Sequence, residues 1–350
     1  MNMNKSSFLR EVFNIAVPVA LQSMLQSSFS IIDQLMVGQL GSVRIAAVEI
    51  AGRPLFIYSF VTGAVAAIAG IQASQYYGRN DAESVDKSIS VNCLSVSLIA
   101  LIFTAVCALM PGGIAAIYTE DIAVTKEAAA YLRIASMLYI PNGIATILAV
   151  RIRCMDKAVY PLYASIASAI VNTGLNWILI FGHLGAPALG VRGAAIASVI
   201  SQFVNFIVIA VCYIYLLKGS LRFSIKCGRE WYVAYLIMLM PVVLNEFLWS
   251  VGQNVNTYIY GHIGTGELAA MSLTDPIQGL FIGALSGFSQ AAGILIGKRL
   301  GAYAYDEAYR DSKRICAYGF AGSLVLSAVL IIFRTFYAGI YNVEDAVKHT

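Results

Sequence analysis

Long apolar runs alternate with short intervals rich in glycine, polar and basic residues, and this rhythm holds along the whole chain. The runs exceed the ~20 residues that carry a helix across ~30 Å of hydrocarbon. They predict nine spans, at 11–38, 44–78, 88–110, 127–150, 158–181, 191–217, 231–260, 267–301 and 312–338. Several are longer than the minimum, which implies tilt, bending or extension beyond the bilayer. Polar residues inside the runs lack the period of two that a barrel strand requires, so helices are the spanning element the pattern supports.

The pattern also repeats. Pro18 aligns with Pro241 at an offset of 223 residues (241 − 18), without a gap from the first span onward. PVALQSMLQS faces PVVLNEFLWS, GQLGSVRIAA faces GHIGTGELAA, and Gly78 and Cys93 face Gly301 and Cys316. Six spans precede the basic interval 218–230, which reads as a linker between domains, and three follow it. An even number of spans returns the chain to the side it left, so the halves are expected to be parallel repeats about an axis along the membrane normal. The expected organisation is a six-helix bundle at 1–217, a linker at 218–230, and the first half of a second bundle at 231–350, truncated after three helices.

Composition agrees with an all-α polytopic membrane protein: 59% of residues are apolar, 12% are charged and the mean hydropathy is +0.74, too apolar for a soluble domain. Sixteen basic residues fall in intervals on one side of the predicted membrane and five on the other. The positive-inside rule then puts the N-terminus in the cytoplasm of a protein of the cell (plasma) membrane. Topology accounts for the net charge of +4, which calls for no nucleic-acid partner. The first apolar stretch outruns a signal-peptide core and is expected to remain as a helix.

The six cysteines show no CxxC spacing, which points away from metal sites and disulfides. His183, His262 and His349 lie on the sparsely charged side without a nucleophile nearby. There is no HExxH and no phosphate-binding GxxxxGK[ST], so neither an enzyme nor an ATP-driven pump is expected, and no cofactor.

Charges within spans are the candidate functional groups, because each costs ~2.5–3.5 kcal/mol at mid-helix. Glu246, preceded by Asn245, lies near the middle of the seventh span. Asp33 stands nearer the end of the first, and by position alone is either a wetted interfacial carboxylate or a cavity group. Asn172 and Asn176 are spaced i, i+4 and face the same way; such a pair serves an interhelical hydrogen bond or an ion. Glu49 and Arg53 form an acid-first i, i+4 pair that reads as structural. Asp275 precedes Pro276 in the eighth span, and Gln202, Asn205, Asn254 and Asn256 either line a cavity or bond between helices.

SIIDQLMVGQLG (30–41), QYYGRND (75–81), RIRCMDKAVYP (151–161), NTGLNWILIFG (172–182) and GVRGAAIASVIS (190–201), in this order and spacing, resemble the multidrug and toxic compound extrusion (MATE) family. The resemblance covers essentially the whole chain and implies two six-helix bundles meeting in a V around a cavity. It implies a secondary antiporter that exports cationic or amphipathic small molecules against Na+ or H+, working as a monomer in the bilayer. Asp33 matches the family's first-helix aspartate, implicated in Na+ or H+ binding, and Asn176 stands where one branch has an aspartate. Ser198 matches the hydroxyl that completes that site. The second-half carboxylate carries over to Glu246 by helix only, since in some branches its column here holds Trp249. A lipid-linked saccharide flippase of the same superfamily is the alternative, and would need several cations to hold a pyrophosphate. A membrane-embedded enzyme is the distant one, and it leaves the repeat unexplained.

Overall fold

The computed structural model describes residues 5–218, 224, 228–263 and 265–340. Within them eleven α-helices follow one another: α1 Lys5–Gly38, α2 Ser42–Gly78, α3 Ala82–Leu109, α4 Pro111–Ala116, α5 Ile122–Ala135, α6 Tyr139–Cys154, α7 Val159–Phe181, α8 Val191–Leu216, α9 Arg229–Ile263, α10 Thr265–Gly301 and α11 Tyr305–Ile340. Among the described residues, eight helical segments are long and apolar enough to cross a membrane. The ninth predicted span lies on α11.

Local chemistry sets the boundaries. Asp81 caps α3 by accepting from the Ser84 N–H at 3.0 Å, and these bonds to Ser84 hold its carboxyl below the usual carboxylate range. Asp121 caps α5 by accepting from Ala123 at 2.7 Å and Val124 at 3.3 Å. The fourth span therefore starts at Ile122, five residues before its predicted edge, and passes through a 3-10 turn at Ser136–Leu138 before continuing as α6. Gly182, at φ 78°, ends α7 in the left-handed conformation that a side chain disfavours. α6 runs on to Cys154, so Arg151 and Arg153 belong to its last turn rather than to a loop.

Arg151 is buried where four helices of the first half meet. Its guanidinium pairs with Asp86 of α3 at 2.5 Å, donates to the Tyr213 hydroxyl of α8 at 2.7 Å and hydrogen-bonds to Tyr77 of α2. A second buried network joins the halves: Ser88 donates to Gln72 at 2.8 Å, and the Tyr235 hydroxyl of α9 donates to the Asn92 amide oxygen at 3.2 Å. The largest apolar core lies between these polar groups, with Phe8, Val12 and Ile15 of α1 packed among Val65, Ala69, Ile147, Ile294 and Ile315.

α10 crosses both α1 and α2, and the crossing with α2 is reciprocal. A Cβ on Gly78 would collide with the Lys298 carbonyl oxygen, and one on Gly301 with that of Gln75. These are the same two positions of the repeat, exchanged, since 78 and 301, like 75 and 298, differ by 223. Reciprocal contact of this kind is what a two-fold arrangement produces. Around the crossing, Lys298 pairs with Asp156 at 2.7 Å and Arg299 with Glu11 at 3.3 Å, so the helix ends on the basic face are drawn together. Gly301→Ala is expected to cost about 1–3 kcal/mol, the range for overpacking a close contact. Thermal unfolding in detergent checks it; an unchanged midpoint would mean that α2 and α10 do not touch there.

Candidate functional site

α1, α6, α7 and α8 line an open cavity of about 350 Å³. Most of its exposed wall is apolar, and amides and hydroxyls at helical spacing are set into it. On α1 these are Gln26, Ser30 and Asp33; on α7 Ser165, Ser168 and Asn172; on α8 Ser198, Ser201, Gln202 and Asn205. Leu25, Phe29, Leu55 and Leu138 supply the apolar patches. Asp33 is the charged residue of this lining.

Asn176 and Asn172 hold Asp33 from the α7 side. The Asn176 amide donates to Asp33 Oδ1 at 2.6 Å and to Asn172 Oδ1 at 3.2 Å. Both asparagines are buried, at 2% and 9% exposure, which confines them to this cluster. Nitrogen and oxygen of the Asn172 amide are assigned from its hydrogen bonds, and two assignments fit its position. With its nitrogen toward α8 it donates to Ser201 Oγ at 3.4 Å, and its oxygen accepts from Asn176 while facing the carboxylate. Turned over, its nitrogen donates to Asp33 Oδ1 at 2.8 Å and Oδ2 at 3.0 Å. The second assignment is the one that satisfies the carboxylate, which otherwise faces an amide oxygen. Two further acceptors, Asn176 Oδ1 and Asn205 Oδ1, receive no hydrogen bond from the described residues.

Asp33, Asn172, Asn176 and Ser198 thus come together across three helices. Within the group it is the Ser201 hydroxyl that meets Asn172; Ser198 accepts from Ser201 through its carbonyl at 2.9 Å and engages the Tyr131 hydroxyl of α5. Spacing alone did not single out Ser201, Tyr131, Gln26 or Asn142. Ser201 had a signal, since it lies three residues from Ser198 and shares its helix face. Gln202 and Asn205 line the cavity rather than only bonding between helices.

The other candidates lie apart. On α9, Asn245 is exposed and Glu246 half-buried, and neither lines this cavity. Trp249 packs on Phe60 of α2 with ring centroids 5.9 Å apart. Asp275 and Asn254 belong to α10 and α9, but their side chains lie outside the described residues. Glu49 and Arg53 pair at 2.8 Å on an exposed face of α2. A second cavity, about 470 Å³ between α3, α6 and α8, is lined by apolar residues with Ser90, Ser97, Cys93 and Tyr213, and has no charged group to hold an ion.

The family model named MatE matches two segments, 18–178 and 241–350, which begin at the two repeat-related prolines and together span well over half the chain. The chain belongs to the MatE family. Over 338 residues it is 25% identical to a probable multidrug resistance protein NorM of Agrobacterium fabrum, covering 92% of this chain and 71% of that protein. It is 26% identical to the mouse multidrug and toxin extrusion protein 1, over 87% of this chain and 53% of the relative. The fold matches the crystal structure of the Vibrio cholerae MATE transporter VcmN in its bent form, with a TM-score of 0.88, 19% identity, and 98% of this chain and 78% of that one covered. MatE proteins are transporters, so this multi-pass membrane chain moves its substrate rather than transforming it, and needs no cofactor to do so.

Proposed function

We propose that this MatE chain is a secondary antiporter that exports cationic or amphipathic compounds in exchange for inward-moving Na+ or H+, with the coupling ion held at Asp33, Asn172, Asn176 and the hydroxyls of Ser198 and Ser201. The observation that carries this reading is the buried cluster in which Asn176 donates to Asp33 at 2.6 Å beside Asn172, on a cavity wall where Asp33 is the charged residue. Antiport requires that ion binding favour one conformation of the transporter and substrate the other. A carboxylate braced by amides of α7 and neutralised by the bound ion lets ion occupancy bias the packing of α7 against α1 and α8. One carboxylate with neutral oxygens suits a proton or a monovalent ion.

In this reading the basic face is cytoplasmic, in a plasma membrane, and one chain is the working unit. A flippase carrying a pyrophosphate headgroup is disfavoured, because the charged lining residue of the cavity is acidic. Glu246 supplies the second-half carboxylate. The repeat aligns it with Ser23, whose hydroxyl meets Ser286 of α10 at 3.0 Å.

Expression in a bacterium lacking its own efflux systems tests the proposal. Cells making the protein are expected to accumulate less of a lipophilic cationic dye than control cells, and to lose that difference when the Na+ and proton gradients are collapsed together. Accumulation equal to control while the protein is present in the membrane would overturn it.

A further inference from the structure

One face of α1 carries a polar line from the ion site toward the basic face. Asp33, Ser30 and Gln26 line the cavity, and Gln22 lies one turn beyond Gln26 on the same side. There the line meets Arg153, which reaches from the last turn of α6 to donate from Nη2 to Gln22 Oε1 at 2.9 Å.

The surroundings of Arg153 differ from those of the basic groups beside it. Arg151 is neutralised by Asp86, Lys298 by Asp156, and Arg299 by Glu11, Glu307 and Asp311. Arg153 has no carboxylate within ion-pair distance among the described residues, and its Nε is buried without a hydrogen-bond partner. A half-buried guanidinium left unneutralised, with its Nε buried and unbonded, is costly, so a purely structural tether between α6 and α1 would be better made with a carboxylate at position 22 or an amide at 153. What the neutral partner preserves is the positive field of Arg153, one turn of α1 beyond the cavity-lining Gln26.

We propose that Arg153, held by Gln22, is the cation barrier at the basic-face end of the first-half cavity. Its charge repels Na+ or H3O+ that would otherwise slip along α1 between Asp33 and the basic face without a turn of the transport cycle. A fixed arginine excludes cations and protons from a polar passage in this way while neutral solutes and water are unaffected. When α1 and α6 separate, the Gln22 bond breaks and the barrier withdraws. The inference rests on the proposed use of the Asp33 site.

The test measures cation leak without exported substrate. Protein in liposomes, with a pH dye and a Na+ indicator inside and the membrane potential clamped, is given an inward gradient of each ion. Wild type is expected to be tight, and Arg153→Gln to leak about tenfold faster or more, as loss of a low-dielectric charge barrier implies. Arg153→Lys keeps the charge and is expected to stay tight. Gln22→Glu is the second variant: it neutralises the guanidinium while strengthening the tether, so the barrier predicts a leaky protein of undiminished thermal stability, and a structural role predicts a tight one. Folded Arg153→Gln and Gln22→Glu proteins as tight as wild type would overturn the proposal, and Gln22→Glu alone decides if Arg153→Gln does not fold. Adding Asp33→Asn to the leaky variant separates the two claims. Leak that persists there upholds the barrier and counts against Asp33 as the ion site, whereas tight Arg153 variants beside an Asp33→Asn protein that has lost coupling reject the barrier alone.

Discussion

Asp33→Asn is expected to abolish gradient-driven export while leaving the protein folded and inserted. The amide keeps the shape of the carboxylate, and its oxygen still accepts from Asn176, which donates to Asp33 Oδ1 at 2.6 Å in the wild type. It cannot change charge, so ion occupancy no longer distinguishes the two conformations. Coupling free energies of about 1–3 kcal/mol correspond to about 5–150-fold in affinity, and the loss of export should fall in that range or beyond. Initial rates of dye export in liposomes, with thermal stability as the control for folding, check it. Undiminished export would return Asp33 to the role of a wetted carboxylate at the end of α1.

Asp86→Ala is expected to be the most destabilising single change in the first half. It leaves the Arg151 guanidinium, 5% exposed, with only the Tyr213 and Tyr77 hydroxyls as partners. Removing one member of a buried pair costs about 3–5 kcal/mol, because the other charge is left without compensation. Replacing both partners with apolar residues, Asp86→Leu with Arg151→Met, should recover most of that loss by removing the desolvated charge. Unfolding midpoints of the single and double variants in detergent decide it. A double variant no more stable than Asp86→Ala would mean that the pair acts through something other than mutual neutralisation.

Arg151 also shows where the sequence stopped being informative. The apolar run ends at Val150, so the local pattern assigns the following arginines to a loop, whereas α6 continues for another turn. What allows this is Asp86, on a different helix, and no window along the chain contains both residues. The span order, the repeat and the approach of Asn172 to Asn176 were legible because each follows from helical period or from an offset within the sequence itself. The meeting of Asp33 with those two amides was suggested by family resemblance, since their separation along the chain carries no physical signal. Ser198 comes from the family resemblance, while Ser201 shares its face of α8, and only packing against α7 determines which hydroxyl meets Asn172. The break at Ser136–Leu138 follows from Pro141, which has no N–H for the Met137 carbonyl four residues back, a signal that the length of the apolar run hides. Glu246 drew attention as an isolated charge in an apolar span, yet α9 keeps it outside the first cavity, on the helix that joins the second half to α2.

The central claim is that a cation at Asp33 drives export, and the most direct measurement is exchange in liposomes holding the purified protein and a cationic dye at equal concentration on both sides. With the membrane potential clamped, a Na+ gradient or a pH gradient is imposed alone, and dye movement is followed from that equilibrium. Dye should accumulate on the side from which the coupling ion enters, for at least one of the two ions, and should stay at equilibrium in every condition with Asp33→Asn. Dye that remains at equilibrium under both gradients with the wild-type protein, or that is driven equally well by the Asp33→Asn variant, would contradict the account.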